Sequence, residues 1–189
     1  MQHAESGDAP DSQLDRLPIV GVLGSGTEPH VDRATEIGLW LATQDVHLLT
    51  GGGRGVMETV SRAFHSVNER AGKIIGILPN AADARDHHPP PGYPNQWIEI
   101  PIHTHLPLSG SRGTEQASRN HINILTATML VALPGSHVTA SEIRLAIEYK
   151  KPLVAFLHSR KDIPGLPPEV LVEQDFEKVK NFIRSACHL

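Results

Sequence analysis

"VHLLTGGGRGVMETVSRAF", residues 46–64, opens on a short apolar run, breaks on three consecutive glycines and resumes with apolar residues at helical spacing. The run "VHLLTG" is short, apolar and stopped by glycine, which marks a buried strand rather than a helix. Beyond the break, Met57, Val60, Phe64 and Val67 recur three or four residues apart, the apolar stripe of an amphipathic helix. A strand that passes into a helix through a glycine turn is half of a βα unit.

The unit repeats along the chain. "PIVGVLG" (18–24), "KIIGILP" (73–79), "MLVALPG" (129–135) and "PLVAFL" (152–157) are further strand-length runs, each ended by Gly, Pro or a polar residue. Their continuous rather than alternating apolarity suits a parallel sheet covered on both faces. Helical stripes lie between them: Ala34, Ile37, Gly38 and Leu41, then Ile143, Ala146 and Ile147, with further helices expected over 115–126 and 175–186. Alternation of strand and helix predicts an α/β, doubly wound, Rossmann-like parallel sheet with helices on both faces, in a single domain over 17–189. The segment 1–16, "MQHAESGDAPDSQLDR", is polar, lacks the apolar core of a signal peptide and is expected to be a disordered tail. The proline-rich stretch 79–97 predicts a long irregular loop, followed by a short strand in "IEIPI" and the polar stretch "HTHLPLSGSRGTEQ".

Composition narrows the classes. Hydrophobic residues make up 39% of the 189 and charged residues 20%, as in ordinary globular proteins. A net charge of -4 argues against a general nucleic-acid-binding surface, and no apolar run is long enough to span a membrane. The single cysteine, Cys187, cannot form a disulfide within the chain, which suits a reducing cytoplasm. The twelve histidines include dense spots at His87–His88 and at His103 and His105, but no zinc-type spacing accompanies them, and no metal site is expected.

Three turns carry the chemistry. "GSGT" contains Gly24, Ser25 and Gly26; "TGGGRGVME" contains Gly51, Gly52, Gly53 and Gly55, with Met57 at the helix start. "ALPGSHVTASE" (132–142) contains Gly135, Ser136, His137, Val138, Thr139 and Glu142. Each is expected to place backbone N–H groups and a helix N-terminus at one edge of the sheet, an arrangement that favours anions. A full G-x-G-x-x-G is absent because Pro29 stands at its last glycine, and no Walker lysine follows any turn, which disfavours an ordinary dinucleotide fold or P-loop enzyme. Between the strands lies "SGSRGTEQASRNHINIL" (109–125). Its Arg112 and Arg119 are candidates for paired hydrogen bonds to phosphate or carboxylate, with Asn120 beside the second. For Arg112 a solvated surface position is an equal alternative. Thr139 and Glu142 have the spacing of a capping box, and Glu142 is also the one acid of its stretch that could act as a general acid or base. Val138 is β-branched and disfavours positive φ; Ser136 can cap the helix or bond a phosphate oxygen, and His137 is either a cation near pH 6–7 or an exposed loop residue.

These residues resemble a known family. "TGGGRGVMETVSRAF" is similar to the glycine-rich helix start of the lysine-decarboxylase-like proteins, a misnomer for most members, and "SRN" (118–120) followed by "PGSHVTASE" resembles their second signature, PGGxGTxxE. The resemblance covers about residues 17–158. One branch, the LONELY GUY phosphoribohydrolases, cleaves the N-glycosidic bond of nucleoside 5′-monophosphates without a cofactor; there the family's arginine and glutamate match Arg119 and Glu142. The other branch, the molybdenum-cofactor carriers, binds the pterin cofactor without turning it over. "SRNHINIL", "TASEIRLAIEYKKPLVAFL" and "IIGILP" look more like the carriers, because the hydrolases usually have lysine where this chain has Asn120. The chain departs from both at Ser136 and Val138, which stand where the signature has glycine. The resemblance implies a small phosphorylated ligand, a nucleoside monophosphate or molybdopterin, with its phosphate held by Ser136–Thr139 at the helix start and by Gly51–Gly55, the more intact partner loop. It also implies a homodimer or homotetramer. Lysine decarboxylation is disfavoured, since no lysine fits a pyridoxal phosphate site.

Overall fold

A computed structural model describes residues 16–81 and 88–189. The segment 1–15, and with it most of the expected tail, lies outside the described residues, as do 82–87 of the proline-rich loop and His87. Seven parallel strands form one sheet: β1 (Ile19–Leu23), β2 (His47–Thr50), β3 (Ile74–Leu78), β4 (Ile100–His103), β5 (Met129–Ala132), β6 (Leu153–Phe156) and β7 (Leu171–Glu173). Among the described residues the α-helices are α1 (Val31–Leu41), α2 (Val56–His65), α3 (Asn120–Thr126), α4 (His137–Glu148) and α5 (Phe176–Cys187). The strand order is β4-β3-β2-β1-β5-β6-β7, so the winding reverses between β1 and β5. This confirms the α/β doubly wound, Rossmann-like class, and the reversal opens the crevice in which such sheets bind ligands.

The continuous apolar runs have a direct cause. Met129 and Val131 of β5 face the core shared with α1, α2 and α5, while Leu130 and Ala132 face a second core with α3 and α4. On β6, Val154 and Phe156 point to the first core and Ala155 to the second, joined there by Leu157 just past the strand. Alternation is therefore present in space but invisible in polarity. α1 and α2 pack closely because Gly38 leaves no side chain between them; a Cβ there would stand 2.7 Å from the Val60 carbonyl oxygen. Truncating the fully buried Phe64 in this core should cost about 3–5 kcal/mol. Cys187 belongs to the same core, and burial pushes its thiol up to about 11, a packing role rather than a reactive one.

Two expectations change. The helix predicted over 115–126 begins only at Asn120: residues 113–117 run as tight turns, with Glu115 N donating to the Arg112 carbonyl and Ser118 N to the Glu115 carbonyl, and Ser118 then forms an isolated parallel bridge with Leu108. β7 was not anticipated: three partly exposed residues at the sheet edge carry too little apolar signal. No helix among the described residues is long and apolar enough to cross a membrane.

Candidate functional site

The three turns meet at the carboxyl edge of the sheet, beside the β1/β5 switch point. Ser25 N donates to the Pro134 carbonyl at 3.1 Å, tying the turn after β1 to the turn after β5. Val56 N donates to the Ser25 carbonyl at 2.9 Å, tying the start of α2 to the same point. Within the first turn the Ser25 hydroxyl accepts from Thr27 N and Glu28 N, so it closes its own loop. The helix expected there does not follow at once: α1 starts at Val31, behind a left-handed His30 with no side-chain cap.

The glycine-rich turn serves the protein more than the crevice. Gly55 has φ +64°, and a Cβ there would run into the Ser25 carbonyl oxygen. Gly52 has φ +75° and donates from its N–H to Thr50 Oγ1. The carbonyls of Gly52 and Gly53 accept from the backbone and side chain of buried Asn95. That leaves Gly51 as the one glycine of this turn on the cavity wall, and the Arg119 guanidinium lies where its Cβ would be.

The turn after β5 does the opposite. Ser136 sits in extended backbone as the N-cap of α4, and its hydroxyl accepts from Val138 N at 3.2 Å. Val138 therefore falls in the first turn of a regular helix and needs no positive φ; neither His137 nor Val138 is left-handed. The capping box of Thr139 and Glu142 does not form, because the cap lies three residues earlier at Ser136. Thr139 instead packs its side chain against Gly135, and Glu142, one turn on, lines the cavity.

The cavity holds about 290 Å³, close to the lower end of ligand pockets. Of the residues read from sequence, Gly24, Ser25, Gly26, Gly51, Met57, Arg119, Asn120, Ser136, Val138, Thr139 and Glu142 line it. Gly52, Gly53, Gly55 and Gly135 support it from behind, and His137 is exposed at the helix start. Arg112 is placed elsewhere: it is exposed and makes a bidentate pair with Glu115, Nε to Oε1 at 2.6 Å and the second nitrogen to Oε2 at 2.7 Å.

The structure adds Tyr93, Ser109, Gly110, Thr27 and Asn123. Asn123 was detectable, since it stands one helical turn beyond Asn120. Tyr93 was not, because it arrives from the proline-rich loop, anchored through Asn95.

Electrostatics single out one pair. Arg119 is 4% exposed, donates one N–H to the Ile77 carbonyl at 2.7 Å, and has its guanidinium 5.9 Å from the Tyr93 ring centre. No ion pair joins it to a carboxylate among the described residues, and its Nε has no hydrogen-bond partner. Burial draws its pKa below the ordinary arginine value, opposed by Tyr93 and Glu142. Burial pushes the Glu142 carboxyl up to about 7, opposed by Arg119. Glu142 is mostly protonated below pH 7, whereas Arg119 stays charged, so there the pocket is electropositive. Among the described residues, no cluster of three or more His, Cys, Asp or Glu side chains is placed to hold a metal.

Comparison with known proteins agrees with this architecture. The chain is similar to the molybdenum cofactor binding protein of the phototrophic bacterium Rippkaea orientalis, at 26% identity over 90% of this chain and 98% of that one, with a TM-score of 0.65. It is similar to the molybdenum cofactor carrier protein of Chlamydomonas reinhardtii, at 28% identity over 92% and 100%, with a TM-score of 0.61. A structural-genomics target at 21% identity over 89% and 99%, with a TM-score of 0.64, shares the fold. No curated protein matches the sequence. A family model matches residues 17–182, nearly the whole described chain, and by it the protein belongs to the SLOG cluster4 family.

Proposed function

We propose that the protein binds a phosphorylated, nucleotide-like or pterin ligand in the β1/β5 crevice, as a carrier related in function to the molybdenum-cofactor carriers. The observation that carries this reading is Arg119: a guanidinium 4% exposed, lining the cavity, with no carboxylate partner among the described residues. Inside the cavity its charge is met only by Tyr93 and by the partly protonated Glu142 carboxyl, so a bound anion would complete it. The phosphate belongs at the start of α4, where Ser136 and the first-turn N–H groups meet the helix dipole, with the turn at 24–27 alongside. Similarity to two molybdenum-cofactor proteins over nine-tenths of the chain supports the pterin ligand in particular. Incubation with molybdopterin followed by gel filtration tests it: retention that competes with inorganic phosphate supports the carrier, and loss of the pterin in the void-free fraction contradicts it.

A second reading rests on Glu142. A carboxyl held near pKa 7 in the same cavity as Arg119 is suited to protonate a departing base. In this reading the chain is a phosphoribohydrolase: Arg119 steadies the phosphoribosyl group, Glu142 gives its proton to the departing base as the C1′–N bond breaks, and solvent water adds to C1′, losing a proton, to leave ribose 5-phosphate. Incubation with AMP and detection of free adenine separates the two readings, and equal release by the Glu142→Ala variant would reject this role for Glu142.

A further inference from the structure

We propose that Asn120 and Asn123 form an amide wall that reads the edge of a planar nitrogen heterocycle on the bound ligand; this rests on the anion-site reading and specifies the other half of the same ligand. The two residues stand three apart on α3, so their side chains share a face. Both line the cavity, and both are almost wholly buried, 1% and 4% exposed. The Oδ1 of each has no hydrogen-bond partner, as has the Nε of neighbouring Arg119. Three orphaned polar atoms on consecutive turns of one wall are unusual, because buried polar groups are nearly always paired.

A carboxamide offers an acceptor and donors side by side, whichever way it is turned. Its last torsion is soft, so each amide can swing its oxygen toward a guest in the cavity. The complement is a ring edge with an N–H next to a carbonyl or ring nitrogen, the pattern by which asparagine reads bases. The other surfaces fit a flat guest: Tyr93 and Met57 line the same cavity, an aromatic ring and a polarisable thioether. Sugar hydroxyls can also bond amides, but they do not call for an aromatic wall.

The test is calorimetric titration of inorganic phosphate, ribose 5-phosphate and GMP into the wild type and Asn123→Leu, with thermal melting of both proteins. Expected is wild-type binding of GMP at least tenfold tighter than ribose 5-phosphate, and loss of about tenfold for GMP alone in Asn123→Leu. The variant should melt no lower than wild type, because removing an unpaired buried amide in favour of an apolar side chain is neutral or stabilising. Equal weakening of ribose 5-phosphate and GMP would assign the wall to sugar hydroxyls and overturn the inference. So would GMP binding no tighter than ribose 5-phosphate, or a lowered melting point with uniform loss. Failure of the wild type to bind phosphate or ribose 5-phosphate would instead count against the anion site itself.

Discussion

The two turns that flank the crevice exchange the roles their compositions suggest. The turn after β2 has four glycines between 51 and 55, yet it presents one of them to the cavity. The turn after β5 has one glycine, yet Ser136, Val138 and Thr139 all line the cavity. Glycine in the first is required by protein contacts: left-handed backbone at Gly52 and Gly55, and the guanidinium resting on Gly51. In the second, a serine cap and a regular helix start expose the same backbone donors without special φ. Glycine content thus reports how closely the chain approaches itself as much as how closely it approaches a ligand.

Arg119→Ala removes the buried cation that Gly51 makes room for, and phosphate affinity should fall by about 2–3 kcal/mol, roughly 30- to 150-fold, measured by calorimetry. Gly55→Ala places a side chain at φ +64° against the Ser25 carbonyl and should cost about 1–3 kcal/mol in urea unfolding. Ser136→Ala, in the glycine-poor turn, should cost about 1 kcal/mol through the lost cap, whereas Ser136→Gly should cost only a few tenths. A Gly55→Ala variant as stable as wild type would show that the glycine-rich turn is not built for internal contacts.

The pH dependence sharpens the same contrast. Glu142 has its carboxyl raised from 4.5 to about 7, so between those values the folded state holds a proton the unfolded chain has released. Folded-state proton excess makes stability fall as pH rises through that window, by at most about 3 kcal/mol in total. Glu142→Gln should flatten this slope. It should also flatten the loss of anion affinity above pH 7, where ionised Glu142 opposes the anion; taking the ratio of variant to wild type cancels the titration of phosphate itself. An unchanged slope in the variant would place the titration elsewhere.

Much of the fold was legible because buried parallel strands announce themselves as apolar runs; four were read within one residue of their ends, and β5 was read three residues too long, through the turn that follows it. β7 escaped because an edge strand needs little apolarity, and α3 was read too long because 113–117 run as tight turns, and the bridge between Leu108 and Ser118 that follows them is a tertiary contact with no local signature. At the site, Arg119, Asn120 and Glu142 could be read from their places beside strand ends. Arg112 takes the surface alternative, where pairing with Glu115 satisfies its guanidinium. Tyr93 reaches the cavity through Asn95, which ties a distant loop to the carbonyls of Gly52 and Gly53, and no periodicity encodes that.

A crystal structure with ribose 5-phosphate decides whether the anion sits on the glycine-poor turn. The phosphate is expected at the start of α4, within hydrogen-bond reach of 136–139 and in the same cavity as Arg119. A phosphate wrapped by Gly52, Gly53 and Gly55, away from α4, would contradict it.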